Sequence, residues 1–118
     1  MMSAVWDVEL EPEVDEWLSR LPIAAFATAA FHIDRLAKQG PAVRMPHSRS
    51  LGEGLFELRF YLDRIAQRIT YFFASEGRLV LLTEFRKQRI SERGEIARAR
   101  AVMARCIREG HTAEEDDR

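Results

Sequence analysis

Three strand-like segments separated by very short turns constrain the fold of this chain more than any other feature. Alternating apolar and polar residues predict a strand at 55–60, β-branched and aromatic residues predict one at 68–74, and an apolar run predicts one at 78–85. Such short connections join antiparallel neighbours, so this part of the chain is predicted to form a meander. The third segment is almost continuously apolar, which is typical of a strand buried on both faces.

Helical patterns precede and follow these strands. Apolar residues recur at helical spacing over 11–21, 23–39 and 91–108, and short strands are predicted at 5–10 and 48–51. Cys106 lies on the apolar stripe of the last helix and is predicted to be in the core. The order predicts a single α+β domain over 1–110: an antiparallel sheet of three to four strands, an N-terminal helix hairpin and a C-terminal helix. We expect the helices on one face of the sheet and an acidic, mobile tail at 111–118.

Composition excludes several classes of protein. The longest uncharged apolar run, Leu21–Ile33, is thirteen residues long, whereas a membrane-spanning helix needs about 20 apolar residues. Residues 1–16 contain no Lys or Arg, which argues against a secretory signal. The single cysteine allows no internal disulfide, and no Cys/His pattern suggests a metal. We therefore expect a cytoplasmic protein without a cofactor.

Charge is unevenly distributed along the chain. Residues 44–109 hold fourteen bases, thirteen of them arginine, against eight acids, while residues 1–16 hold six acids and no base. Arginine presents a planar set of donors that suits phosphate, so the pattern predicts an anionic partner for one face. A solvated surface with ion pairs along the helices is the alternative. Arg59 and Arg68 are expected on or beside the sheet face that the helices leave uncovered.

Four motifs together resemble the RelE/ParE superfamily of small toxins, and specifically its phage-derived HigB-like branch. Their order and spacing carry the resemblance, which covers 51–105, while the first fifty residues match in architecture alone. The motifs are Gly-Leu-x-Glu-Leu-Arg at 54–59, Arg-x-x-Tyr at 68–71, Leu-Leu-x-x-Phe-x-Lys at 81–87 and Glu-Ile-x-x-Ala at 95–99.

The resemblance implies a RelE-like fold and the toxin of a type II toxin–antitoxin pair. Such toxins are endoribonucleases that cut mRNA, often in the ribosomal A site, by metal-independent attack of the 2′-OH on the adjacent phosphate. A cognate antitoxin, usually with a helix-turn-helix domain, neutralises them. The alternatives are a non-catalytic ParE-like toxin that binds DNA gyrase, or a decayed regulatory homologue.

The resemblance also implies roles for individual residues. Arg59 and Arg68 match strand arginines that bind the scissile phosphate, and Lys87 matches a basic residue that acts as acid or base. Alternatively, Arg59 pairs with Glu57 or Glu84, Arg68 is an ordinary turn residue, and Tyr71 belongs to the core. The alternative for the remaining three, Arg49, Arg86 and Lys87, is a solvated surface charge. The catalytic residues are thus predicted to be Arg59, Arg68 and Lys87, and the RNA-binding residues Arg49, Tyr71 and Arg86.

Overall fold

A five-stranded sheet with helices on both faces forms the framework of the protein. The computed structural model describes residues 5–110, so the tail predicted at 111–118 lies outside the described residues. No helix in this part of the chain has the length and apolar character needed to cross a membrane. The elements are β1 (Asp7–Leu10), α1 (Pro12–Ser19), α2 (Ile23–Gln39), β2 (Ser48–Gly52), β3 (Leu55–Leu62), β4 (Ile65–Ala74), β5 (Arg78–Arg86) and α3 (Arg93–Arg108).

The strands lie in the order β1-β5-β4-β3-β2. β2 to β5 pair antiparallel, as the short turns predicted, but β1 pairs parallel to β5, with Asp7 opposite Arg78 and Leu10 opposite Leu81. The prediction of an antiparallel sheet of three to four strands therefore needs correction to a mixed sheet of five. The partner of β1 is about seventy residues away in sequence, and no local turn signals such a pairing.

One face of the sheet packs against α1 and α2. On this side β3, β4 and the first part of β5 present mostly large apolar residues at alternate positions. A register shift beside Thr70 then brings Glu84 of β5 opposite Ile69. The apolar stripes of both helices cover the apolar residues. The buried residues include Val14, Leu18, Ala29, Ile33 and Leu36 from the helices and Leu58, Phe60, Ile69, Tyr71, Leu79 and Leu81 from the strands.

The other face packs against α3, which corrects the prediction that all helices lie on one face. Val80 and Leu82 of β5 point to this side together with Phe72, and they contact Ala99 and Cys106 of α3. The continuous apolar run of β5 explains this second core, because a strand that is apolar on both sides must be covered twice. Cys106 is 2% exposed, so its predicted core position is confirmed.

Two arginines of α3 reach carboxylates at the start of α1. Arg105 contacts Glu11 at 2.9 Å, and Arg98 pairs with Glu13. Glu13 in turn accepts a hydrogen bond from the backbone N–H of Glu84 on β5 (3.0 Å). At its other side α3 reaches β2, where Arg100 donates to the carbonyl oxygen of Leu51. The helix thus crosses one end of the sheet and leaves the end of β3 and β4 that holds Arg59 and Arg68 without a helix.

Candidate active site

Arg59 and Arg68 lie side by side on the part of the sheet that α3 leaves open. They are directly opposite each other in the β3–β4 register. Their neighbours Leu58 and Ile69 point into the core below α1 and α2, so both arginines point to the α3 side. Strand alternation thus places two guanidinium groups on one surface.

Glu57 is the buried centre of this arginine group. Its side chain is fully buried, and its Oε2 lies 3.7 Å from Nη1 of Arg49, 3.8 Å from Nε of Arg68 and 4.0 Å from Nε of Arg59. Neither carboxylate oxygen has a hydrogen-bond partner among the described residues. Glu57 therefore holds three cations nearby through charge, without engaging their N–H donors at hydrogen-bond distance.

Burial and charge act in opposite directions on the pKa of Glu57. Loss of solvent around the carboxyl raises its pKa, and nearby Glu92 raises it further, while Arg68, Arg49 and Arg59 lower it. Burial, then Arg59, lowers the pKa of Arg68, but a guanidinium remains charged at neutral pH. The site thus keeps its arginine cations, and the ionised form of Glu57 exists there at a cost in free energy.

A cleft of about 290 Å³ opens above these arginines, and we call it the arginine cleft. The segment that follows β5 forms its other wall. The backbone N–H of Lys87 donates to Ala66 (2.9 Å), and the N–H of Gln88 approaches Glu92 Oε2 (3.4 Å). Its charged lining residues are Arg49, Arg59, Arg68, Lys87, Glu92 and Arg93.

Four of the six predicted site residues come together in this cleft: Arg49, Arg59, Arg68 and Lys87. Arg86 is exposed at the end of β5, and it does not line the cleft in the described part of the chain. Its predicted RNA contact remains a prediction.

Tyr71 is not available to stack on RNA, which corrects that prediction. It is 1% exposed, points to the α1 and α2 side, and packs against Phe56 and Phe73. Its hydroxyl bonds to Ser48, and burial raises the pKa of Tyr71. Tyr71 lies on the same face of β4 as Ile69 and Phe73, and this face packs into the core. The alternative prediction, that Tyr71 belongs to the core, is therefore confirmed.

Glu84 does not pair with the arginines of the cleft. Gln67 Nε2 donates to its Oε1 (2.9 Å), and Glu84 faces away from Arg68, towards Glu13. Burial raises the pKa of Glu84. Arg59 has Glu57 as its acidic neighbour, which is the other alternative that the sequence offered.

Sequence reasoning missed the central position of Glu57 and the presence of Glu92 and Arg93. Glu57 had a usable signal, because it precedes Arg59 by two residues on a strand and so shares its face. Glu92 and Arg93 had none, since they reach the cleft only through the path of the segment between β5 and α3.

The arrangement suits a phosphate group better than a metal ion. Five cations surround the cleft against two carboxylates, one of them buried. Arginine binds phosphate with paired N–H donors. Within residues 5–110, no group of three His, Cys, Asp or Glu residues lies close enough to hold a metal.

Comparison with known proteins gives one family and one fold. The model of the family described as phage derived protein Gp49-like matches residues 16–104. The structure of the E. coli toxin RelE, in a free mutant with two arginines changed to alanine, is similar at a TM-score of 0.58. The similarity covers 87% of this chain and 98% of that chain at 7% sequence identity, so it shows the fold alone. No curated protein matches the sequence.

Proposed function

Because the chain belongs to the phage-derived Gp49-like family, a family of RelE/HigB-type toxins, we propose that it is a type II toxin that cleaves mRNA. The observation that carries the proposal is the arginine cleft, where Arg59 and Arg68 stand beside each other on a rigid sheet. The reaction needs stabilisation of negative charge on phosphate, and fixed guanidinium groups supply it.

In the proposed reaction, the 2′-oxygen of a ribose attacks the adjacent phosphorus. The bond from phosphorus to the 5′-oxygen of the next nucleotide breaks, which leaves a 2′,3′-cyclic phosphate and a free 5′-hydroxyl. Arg59 and Arg68 bind the non-bridging oxygens, whose charge increases in the transition state. Glu57 acts as a positioning residue, because it is fully buried and lies within 4.0 Å of both guanidinium groups.

Proton transfer is assigned to the exposed rim of the cleft. Lys87 donates a proton to the departing 5′-oxygen, since its ammonium group is a donor in the cleft wall that follows β5. Glu92 accepts the proton of the 2′-OH, because among described residues lining the cleft it alone carries a carboxylate. No metal takes part in this scheme.

The proposed partners follow from the family. The mRNA is bound in the ribosomal A site, and a helix-turn-helix antitoxin covers or distorts the arginine cleft until it is removed. The toxin acts in the cytoplasm, where ribosomes and mRNA are found. The excess of cations around the cleft supports an RNA substrate, because neutralisation of phosphates dominates such binding.

One observation favours a second candidate, a non-catalytic ParE-like toxin that binds DNA gyrase. The Arg68 side chain is only 6% exposed and lies beside a buried carboxylate, an arrangement that is also typical of a structural ion pair. In that case the arginines would stabilise the sheet, and growth arrest would come from DNA damage. A decayed regulatory homologue would have neither effect.

Mapping of transcript 5′ ends by primer extension after brief induction separates these candidates. We expect new ends within translated regions for the wild type, and their loss in Arg68→Ala and Lys87→Ala. Arg108→Ala is the matched control, because Arg108 is an exposed arginine at the opposite end of α3 from the cleft. Thermal unfolding of each purified variant shows whether it is folded.

One result would contradict the assigned site, and two would contradict the nuclease. New ends that appear equally in all variants would place cleavage outside the arginine cleft. Growth arrest without new ends, accompanied by filamentation and a DNA damage response, would support the gyrase-binding alternative. A folded wild type that causes no growth arrest and produces no new ends would support the decayed homologue.

A further inference from the structure

A second cleft, of about 370 Å³, adjoins the arginine cleft and shares Arg59 and Arg68 with it. We call it the edge cleft, because it lies at the edge of β3, beyond the point where β2 begins. Ser48, the first residue of β2, pairs with Leu58, so Arg59 is the first residue of β3 without a β2 partner. The loop before β2 lies alongside instead, and the N–H of Arg59 donates to the carbonyl oxygen of His47 (2.8 Å).

The edge cleft has exposed apolar sides as well as guanidinium groups. Tyr61 is 68% exposed and Met45 is 60% exposed, and both line it. Tyr61 follows Arg59 by two residues on β3, so it is expected on the same face of the sheet. Arg59 Nη1 contacts Met45 Sδ at 3.2 Å. A flat aromatic surface and a polarizable thioether thus stand directly beside the proposed phosphate-binding pair.

The inner wall is a fixed aromatic pair. The ring of His32 on α2 stacks on Phe60, with centroids 4.9 Å apart and an interplanar angle of 17°. Its Nδ1 lies 3.2 Å from Arg35 Nη2, a group that can only donate, so Nδ1 accepts. Burial, Arg35 and His47 all lower the pKa of His32, which favours the neutral ring. The remaining ring nitrogen, Nε2, is then a hydrogen-bond donor.

The lining favours an aromatic anion over a plain one. None of the described residues that line the edge cleft is acidic, and two of them are arginines. A bare phosphate would use the arginines and leave Tyr61 and Met45 in water. A nucleotide uses both kinds of surface, because its phosphate binds cations and its base stacks on flat side chains.

We propose that the edge cleft binds one nucleobase of single-stranded RNA against Tyr61 and Met45, next to the phosphate held by Arg59 and Arg68. The inference rests on the proposed function, since it assigns a base-binding subsite to the same substrate. His47, exposed at the rim, and the donor of His32 are placed to contact the edge of the base. These residues would then contribute to the sequence preference of cleavage.

Binding of small ligands tests this subsite without any cleavage. The four nucleoside 5′-monophosphates are titrated into the protein and followed by NMR, with ribose 5-phosphate as the probe that lacks only the base. We expect at least one mononucleotide to bind about fivefold or more tightly than ribose 5-phosphate, the low end of what base stacking on an aromatic ring contributes. The ring signals of Tyr61 and His47 should shift during the titration.

Variants at Tyr61 identify the contact. Tyr61→Phe should keep the advantage of the mononucleotide over ribose 5-phosphate, and Tyr61→Ala should remove most of it while leaving ribose 5-phosphate binding unchanged. Tyr61→Leu replaces Tyr61→Ala if the latter fails to fold, because it keeps apolar bulk without an aromatic face. Ile23→Ala is the control, since Ile23 is an 89% exposed apolar residue at the start of α2.

Two outcomes would overturn the inference: equal binding of all mononucleotides and ribose 5-phosphate, or a base advantage that persists in Tyr61→Ala. Failure of the proposed nuclease function can be distinguished from failure of the base subsite. Tyr61-dependent mononucleotide binding without RNA cleavage would refute the nuclease and leave the base subsite in place. If RNA cleavage depends on Arg68 but no mononucleotide binds more tightly than ribose 5-phosphate, the base subsite is refuted and the nuclease remains in place.

Discussion

The two faces of the sheet are formed by the same strands but differ in polarity. Towards α1 and α2, residues such as Leu58, Ile69 and Leu81 form a continuous apolar core. Towards α3, one end of the sheet is apolar and covered, while Glu57 and Arg68 at the other end of β3 and β4 form a charged region beside an open cleft. Burial of apolar area stabilises the first face, whereas desolvation of charges makes the second region costly.

Strand alternation therefore separates the residues that stabilise the fold from those of the proposed chemistry. Neighbouring residues such as Leu58 and Arg59 belong to opposite faces, so each can be changed with little direct effect on the other face.

Truncation in the apolar face should give the largest loss of stability. Leu58 is fully buried, so Leu58→Ala should lower the free energy of unfolding by about 2–5 kcal/mol through lost burial and a cavity. Urea denaturation measures it. Ile23→Ala, at an 89% exposed position, should change it by less than about 0.5 kcal/mol. Equal effects of the two substitutions would mean that Leu58 is not a core residue.

Truncation in the charged region should act on activity instead. Arg59→Ala should lower the rate of mRNA cleavage by about a hundredfold, the typical cost of losing one donor to a transition-state oxyanion. Its free energy of unfolding should fall less than that of Leu58→Ala, because two other arginines stay beside the buried Glu57 carboxylate and the Arg59–Glu57 contact is long at 4.0 Å. Cleavage in a purified translation system gives the rate. An unchanged rate together with a large loss of stability would contradict the separation of the faces.

Two carboxylates, the buried Glu57 and the half-buried Glu84, extend the comparison to pH. Burial raises the folded-state pKa of each above its ordinary value, so the native state binds the proton more tightly than the unfolded chain does. Stability from each group is therefore lost as pH rises from the unfolded towards the folded pKa. Glu57→Gln and Glu84→Gln should both reduce this loss in urea titrations between about pH 4 and pH 7.

Only Glu57→Gln should also slow RNA cleavage, because Glu57 stands among the arginines of the cleft and Glu84 faces the other side. Equal slowing by both variants would show that the two faces are coupled. A steeper loss of stability with rising pH in Glu57→Gln would mean that the arginines dominate over burial.

The smallest effect is expected at the contact between α3 and α1. The Arg98 side chain is 42% exposed and pairs with Glu13 and Glu95, so Arg98→Ala should lower the free energy of unfolding by about 0.2–1 kcal/mol. High salt should shrink the difference, since exposed ion pairs are screened. Thermal denaturation at low and high salt measures both quantities. A loss of several kcal/mol would show that this contact holds α3 on the sheet.

Much of the fold was predictable, because its strongest signals are local. The alternation in β3, the apolar run of β5 and the glycine and proline after α2 each depend on neighbouring residues, and the structure confirms all three elements. The same alternation marks Arg59 as pointing away from the core. Arg68 had a weaker signal, since β4 begins three residues before the predicted strand.

Local patterns in the sequence were enough to predict the meander, the three helices and the surplus of arginine in the second half of the chain. Long-range packing, in contrast, brings β1 beside β5, places α3 over the second face, and buries Tyr71 while Tyr61 stays exposed beside the arginines. The difference lies in the range of the forces involved. Periodicity and turn chemistry act between residues close in sequence, whereas the surroundings of Glu57 and the walls of both clefts depend on which distant segments pack together.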